Sequence, residues 1–186
     1  MAEVPSRTQP PVEAEGSQPP DFAAALSLSA RWLQEWENGE LSDEVLADRI
    51  APLVALRDGA RGFFVVALAG DSVLMDRLPD VVLLSLRQAG SGVVDLTARN
   101  LAMSTAMVLH HGRAGDPEQQ GRSERVQARA LELLRQLEPQ LVKERLEQLL
   151  AGTNGEGEDR AFLDRWGYDE QQRQAIAQAV LRVADA

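Results

Sequence analysis

The chain has 186 residues, enough to bury an apolar core without disulfides or a structural metal. Its formal net charge is -10 and Lys143 is its single lysine, so phosphate backbones and anionic lipid surfaces repel it unless a basic face is segregated. There is no cysteine, which excludes disulfides, thiolate metal sites and thiol catalysis.

Apolar residues make up 44% of the chain and aromatic residues 4%, so the core must be built from Leu, Val and Ala, a mixture suited to helices. No run of about 18 consecutive apolar residues is present, which argues against membrane insertion. The start, MAEVPSRTQPPVEAEG, has no basic segment leading into an apolar one, and a cytoplasmic protein is expected. Residues 1–20 hold five prolines among Glu, Ser and Gln and cannot offset the entropy of ordering, so a disordered tail is predicted ahead of one helical domain over 21–186.

Asp21 is a plausible N-cap for a first helix carrying Phe22, Leu26, Trp32, Leu33 and Trp36 at helical spacing, with Gly39 as its stop. Ser42 caps a second helix, with Asp43 and Glu44 in its first turn and Leu41 and Leu46 set as a hydrophobic staple. Pro52 should end or kink it. GFFVVALAG, bracketed by Gly62 and Gly70, suits a buried helix or a buried strand. The strand reading would pair 63–69 with 92–96 in an α/β fold, but a two-stranded parallel sheet is a poor core and a helix is favoured. Pro79 lies near the next helix start, and 93–111 reads as the longest apolar helix, ending before Gly112. GRAGDPEQQG is all turn chemistry. Leucine stripes over 125–137 and 139–151 follow, with Pro139 opening the second. A short helix ending at Gly167 and a last helix capped by Asp169 with Gln172 make 158–186 a C-terminal helical hairpin. The expected fold is therefore all-α, a compact bundle of about seven or eight helices.

His110 and His111, the two histidines of the chain, are adjacent and fall on different edges of a helical wheel, with no carboxylate or histidine at i, i+3 or i+4 upstream. They fit a helix end better than a metal site. The same wheel separates one apolar face, Val94, Ala98, Leu101, Val108 and Leu109, from a second made of Leu96, Met103 and Met107. Such a helix is either the centre of a bundle or covers a partner. Gly70-Asp71-Ser72 resembles the Gly-Asp-Ser block of SGNH-type esterases, which carry a catalytic Asp-x-x-His near the C-terminus. No histidine lies beyond His111 here, so Asp71 and Ser72 are expected to cap the next helix. TNGEGED lacks the glycine and final glutamate of a calcium loop and reads as a solvated loop.

Arg122, Arg125 and Arg129 recur at helical spacing and suit a phosphate or an acidic partner, although Glu124 and Glu132 interrupt them. Trp32 and Trp36 read as core or interface anchors. The stretches NLAMSTAMVLHH and FLDRWGYDEQQRQAI together resemble an uncharacterised family of small helical cyanobacterial proteins over most of residues 25–180. That resemblance implies a photosynthetic bacterial setting and no activity. The expected function is a non-catalytic interaction, assembly or regulatory protein with a protein partner. It requires no cofactor, metal or nucleic acid. Its possible interaction surface comprises Leu96, Met103, Met107, Trp32, Trp36, Arg122, Arg125 and Arg129. Alternatives are a bundle binding a small apolar ligand or pigment near Leu96, Met103 and Met107, and a hydrolase using a histidine.

Overall fold

Asp21, Ser42, Asp116 and Asp169 each accept a backbone amide hydrogen bond at the start of a helix. The computed structural model describes residues 19–184, and among these it contains nine α-helices and no strand. The count is one above the expected range once a seven-residue helix is included. Most of the expected tail, residues 1–18, lies outside the described residues.

Helix α1 (Phe22–Glu37) starts where Asp21 Oδ1 accepts from the Ala24 amide at 2.8 Å, and stops at Gly39, which takes the left-handed φ of 76°. Its inner face repeats every four residues as Ala25, Ser29 and Leu33. Helix α2 (Asp43–Val54) begins with Ser42 Oγ accepting from Val45 N at 3.3 Å. It continues two residues past Pro52, so the expected break falls slightly late. Helix α3 (Arg57–Phe64) passes into a π-turn over Val65–Ala69 and then a 3-10 turn over Leu74–Asp76.

The segments 63–69 and 92–96 are helical, which overturns the α/β alternative. Phe63, Phe64, Ala67 and Leu68 are buried while Val65 is 45% exposed, so the stretch turns one apolar side to the core and leaves a valine at the surface. Gly62 is what lets it in. A Cβ there would lie 2.7 Å from Leu26 N and 2.8 Å from Ala25 Cβ, so α1 and α3 approach at a distance that excludes alanine.

Helix α4 (Asp80–Gln88) follows Pro79 and packs on α2. Helix α5 (Ser91–Ala114) is the longest and touches α3 and three later helices. Its buried side is mostly small: Thr97, Ala98, Ala102, Thr105 and Ala106. The threonine hydroxyls donate to their own backbone four residues earlier, Thr97 to Val93 O and Thr105 to Leu101 O, both at 2.7 Å.

Helix α5 runs through Gly112 and ends only at Gly115, with φ of 69°. Asp116 then caps α6 (Pro117–Gln136) by accepting from Gln119 N at 3.1 Å, and Pro117 fills the first position. The turn-rich GRAGDPEQQG is thus mostly helix, because Gly115 and Asp116 alone reverse the chain. A two-residue connection makes α5 and α6 antiparallel neighbours. Helix α7 (Pro139–Thr153) opens on Pro139 as expected, α8 (Asp159–Arg165) packs on α7, and α9 (Glu170–Ala184) packs on α5, α6 and α7. The predicted capping pair at α9 is reciprocal: Asp169 Oδ1 accepts from Gln172 N at 2.9 Å, and Gln172 Oε1 accepts from Asp169 N at 3.0 Å.

Gly62→Ala should lower stability by about 1–3 kcal/mol despite the better helix propensity of alanine. Urea unfolding of the variant checks this, and a neutral or stabilised variant would contradict the α1–α3 approach.

Candidate functional site

Three groups of residues singled out by the sequence fall in different places. His110 is exposed and His111 half-buried. Their rings meet edge to face at 5.3 Å, so the separation given by the wheel is undone by side-chain rotation. His111 sits in the last turn of α5, as expected of a helix end, with His110 just before it, and neither pairs with a carboxylate among the described residues. Arg113 shares that turn, reaching Asp169 at 2.6 Å and Gln171 at 2.6 Å. That arginine holds the Asp169 carboxyl below its ordinary range.

Met103 and Met107 are half-buried and line a shallow groove with Arg122 and Val126, whereas Leu96 lines a different groove with Leu56 and Trp166. The three residues share a helix face but no cavity. Trp32 and Trp36 pack against the core at its edge. Trp36 Nε1 donates to Asp43 Oδ1 at 2.7 Å, and the guanidiniums of Arg77 and Arg49 lie over Trp36 and Trp32 at 5.1 and 5.9 Å.

The arginine row divides most sharply. Arg122 is on the surface, paired with Glu118 at 2.8 Å. Arg125 reaches the exposed Asp71 at 3.4 Å. Arg129 is 5% exposed and consumed by its own chain. Its Nε and Nη2 donate to the Asp76 carboxylate at 2.8 and 2.5 Å, Nη1 donates to the carbonyls of Leu68 and Gly70 at 3.1 Å each, and Nη2 donates to Ser72 O at 2.8 Å. Those carbonyls belong to the end of the π-turn and the following bend, where no helical amide remains to satisfy them. Arg129 is a structural clamp, not an anion receptor. Ser72, far from acting as a nucleophile, accepts from Leu74 N at 3.2 Å and shapes the 3-10 turn.

A second buried guanidinium escaped the sequence reading. Arg145 of α7 donates to Asp159 at 2.5 and 3.0 Å and to Asp95 at 2.7 Å, and Asp95 also accepts from Arg99 at 3.0 Å. Burial opposes the charge of Arg145, but the two carboxylates outweigh it and its pKa is raised. Gly152 makes room for this network, since a Cβ there would lie 2.7 Å from Asp159 Cβ. The four charges come from α5, α7 and α8, so no local pattern announced them.

Around these fixed points lie several surface grooves, two of which differ sharply in chemistry. One, of about 500 Å3, runs between α7 and α9 and is lined mainly by leucine and valine. The other, of about 810 Å3, lies where α3, the start of α5 and Trp166 meet. Among the described residues no three His, Asp or Glu side chains gather as a metal site, and no helix is long and apolar enough to cross a membrane.

An all-α bundle around one long central helix, with open grooves and its buried charges tied up internally, defines the class of protein. The chain belongs to the family described as Uncharacterised conserved protein UCP020893, whose model matches residues 21–183. No curated protein and no solved structure matches it.

Removing the clamp should be costly. Arg129→Met leaves buried carbonyls without a donor, and a loss of about 3–5 kcal/mol in unfolding free energy is expected. The hydrogen bonds from Arg129 hold the Asp76 carboxyl below its ordinary value of 3.8, against opposing burial. A lowered folded pKa means that the stabilisation is complete above the unfolded value and disappears as pH falls through the folded one. Asp76→Asn should therefore flatten the acid limb of stability against pH, measured by urea unfolding between pH 6 and about 2.

Proposed function

We propose that this protein is a non-catalytic interaction or assembly protein that receives an amphipathic helix of a protein partner in the groove between α7 and α9. The observation that carries this reading is the groove itself. Val142, Leu146, Leu150, Val180 and Leu181 line it, while Arg135, Lys143 and Glu147 stand at its margin. Leu181 is 54% exposed although it points into an apolar channel. Leu84 is 52% exposed as well, but Leu181 belongs to a contiguous apolar channel, the kind of surface that a partner covers.

The dimensions suit a helix. Helix α7 has 15 residues, a length of about 22 Å at 1.5 Å per residue, and a volume near 500 Å3 takes the three or so apolar side chains that a helix presents at i, i+3 or i+4, and i+7. Charge narrows the partner further. Lys143, the single lysine, makes no ion pair among the described residues, and Arg135 lies at the same margin. An acidic flank on the docking helix would complement Lys143, whereas Arg135 is already engaged by Glu132 and the Arg182 carbonyl. The same reading places the protein in the cytoplasm of a photosynthetic bacterium, a setting supported by the resemblance of NLAMSTAMVLHH and FLDRWGYDEQQRQAI.

A photocrosslinking amino acid at Leu181, activated in the native cell, tests the proposal. The expected product joins Leu181 to a helical segment of another protein with leucine-type spacing and an acidic flank, and Lys143→Glu should reduce its yield roughly tenfold. Crosslinks confined to a second copy of this chain, or a yield unmoved by Lys143→Glu, would overturn it.

A further inference from the structure

The groove between α3, α5 and α8 has a different chemistry. Arg57 and Arg61 enter it from α3 and Arg99 from α5, against one carboxylate, Asp95. Asp95 is shared by Arg99 at 3.0 Å and Arg145 at 2.7 Å, and Arg145 also pairs with Asp159. On a chain of net charge -10 this is a local reversal of sign.

The three guanidiniums are not spent on the fold as Arg129 is. Arg57 makes no ion pair among the described residues. Arg61 uses Nη1 on the exposed Asp58 at 3.0 Å and lies over the Phe22 ring at 5.1 Å. Arg99 engages Asp95 through Nε, which leaves both Nη groups without a hydrogen bond among the described residues, and its plane lies 5.0 Å over Phe162. Aromatic support fixes the planes of Arg61 and Arg99 while leaving N–H edges for a ligand. Helix α5 also begins in the groove at Ser91 and Gly92 with no side-chain cap, which adds the positive end of its dipole to the same field.

The remaining wall is apolar. Leu56 and Leu96 line it, and Trp166 at the end of α8 stands over it with 55% of its surface exposed. We propose that this groove binds a phosphorylated small molecule carrying a planar ring, with Arg57, Arg61 and Arg99 on the phosphate oxygens and Trp166 stacked on the ring. Phosphate fits better than carboxylate because its three acceptor oxygens can meet donors from three guanidiniums at once, where a carboxylate offers only two oxygens. A small molecule fits better than a nucleic acid because the groove, at about 810 Å3, is of ligand size and the acidic remainder of the surface repels a polyanion.

The test uses the full chain with three probes: adenosine triphosphate, guanosine triphosphate and inorganic tripolyphosphate, followed by calorimetry and tryptophan fluorescence. Saturable binding of a nucleotide with quenched emission is expected, together with weaker binding of tripolyphosphate. Arg57→Gln with Arg61→Gln should weaken both classes of probe roughly tenfold or more without lowering the melting temperature, since neither side chain is buried. Trp166→Leu should weaken the nucleotide and leave tripolyphosphate unchanged. The proposal is overturned by absence of saturable binding to any probe at millimolar concentration, or by affinity unaltered in the double arginine variant. It is equally overturned if nucleotides bind no better than tripolyphosphate.

Discussion

Arg129 projects from the middle of α6 onto the end of the π-turn, where the chain after α3 loses its helical hydrogen bonds, and its planar fork of donors satisfies the carbonyls left there. The π-turn over Val65–Ala69 is needed because α3 must deliver Phe63, Phe64 and Leu68 to the interior and then turn sharply at Gly70. Without a buried cation, that turn would leave polar groups unpaired inside the protein. Asp76 closes the arrangement by balancing the charge, so the guanidinium is buried as a hydrogen-bonded ion pair and not as an isolated charge.

That clamp complements the packing of α5. Its Ala and Thr positions let α6 lie close, and the polar atoms this brings into the core are satisfied locally, by Thr97 and Thr105 through their own backbone and by Gln127 through a bond to Thr105 Oγ1 at 2.9 Å. Gln172 of α9 reaches Ala106 O at 3.1 Å from the other side. The central helix thus holds its neighbours with small side chains and short hydrogen bonds, while buried leucines such as Leu33, Leu46, Leu86 and Leu133 come from the helices around it.

What could be read from the sequence follows from the range of the interactions. The caps at Asp21, Ser42 and Asp169 involve partners within three residues, and these three and the helix start at Pro139 stand where the residue types placed them. The end of α5 was misplaced because Gly112 and Gly115 are alike as letters, and only the backbone shows that Gly115 takes the left-handed turn. Arg122, Arg125 and Arg129 were indistinguishable for a related reason. Helical spacing tells which residues share a face but not which end of that face is covered, and here the cover comes from residues about 50 positions away. The Arg145 network and the groove at Trp166 each draw on three helices, so spacing within any single one carried no trace of them.

The arginines therefore sort by what surrounds them and not by sequence. Arg129 and Arg145 are buried, paired with carboxylates and fully used; replacing either disturbs the core. Arg57, Arg61 and Arg99 are held on aromatic or helical supports at a surface where their donors remain available. A protein with few cations that commits its best-shielded ones to structure has left positive charge at one groove, next to its most exposed indole. The apolar channel at α7 and α9 lies elsewhere, with a lysine at its margin and no exposed tryptophan. The two surfaces differ in charge, polarity and helices, which is the physical ground for assigning them occupants of different chemistry on one bundle.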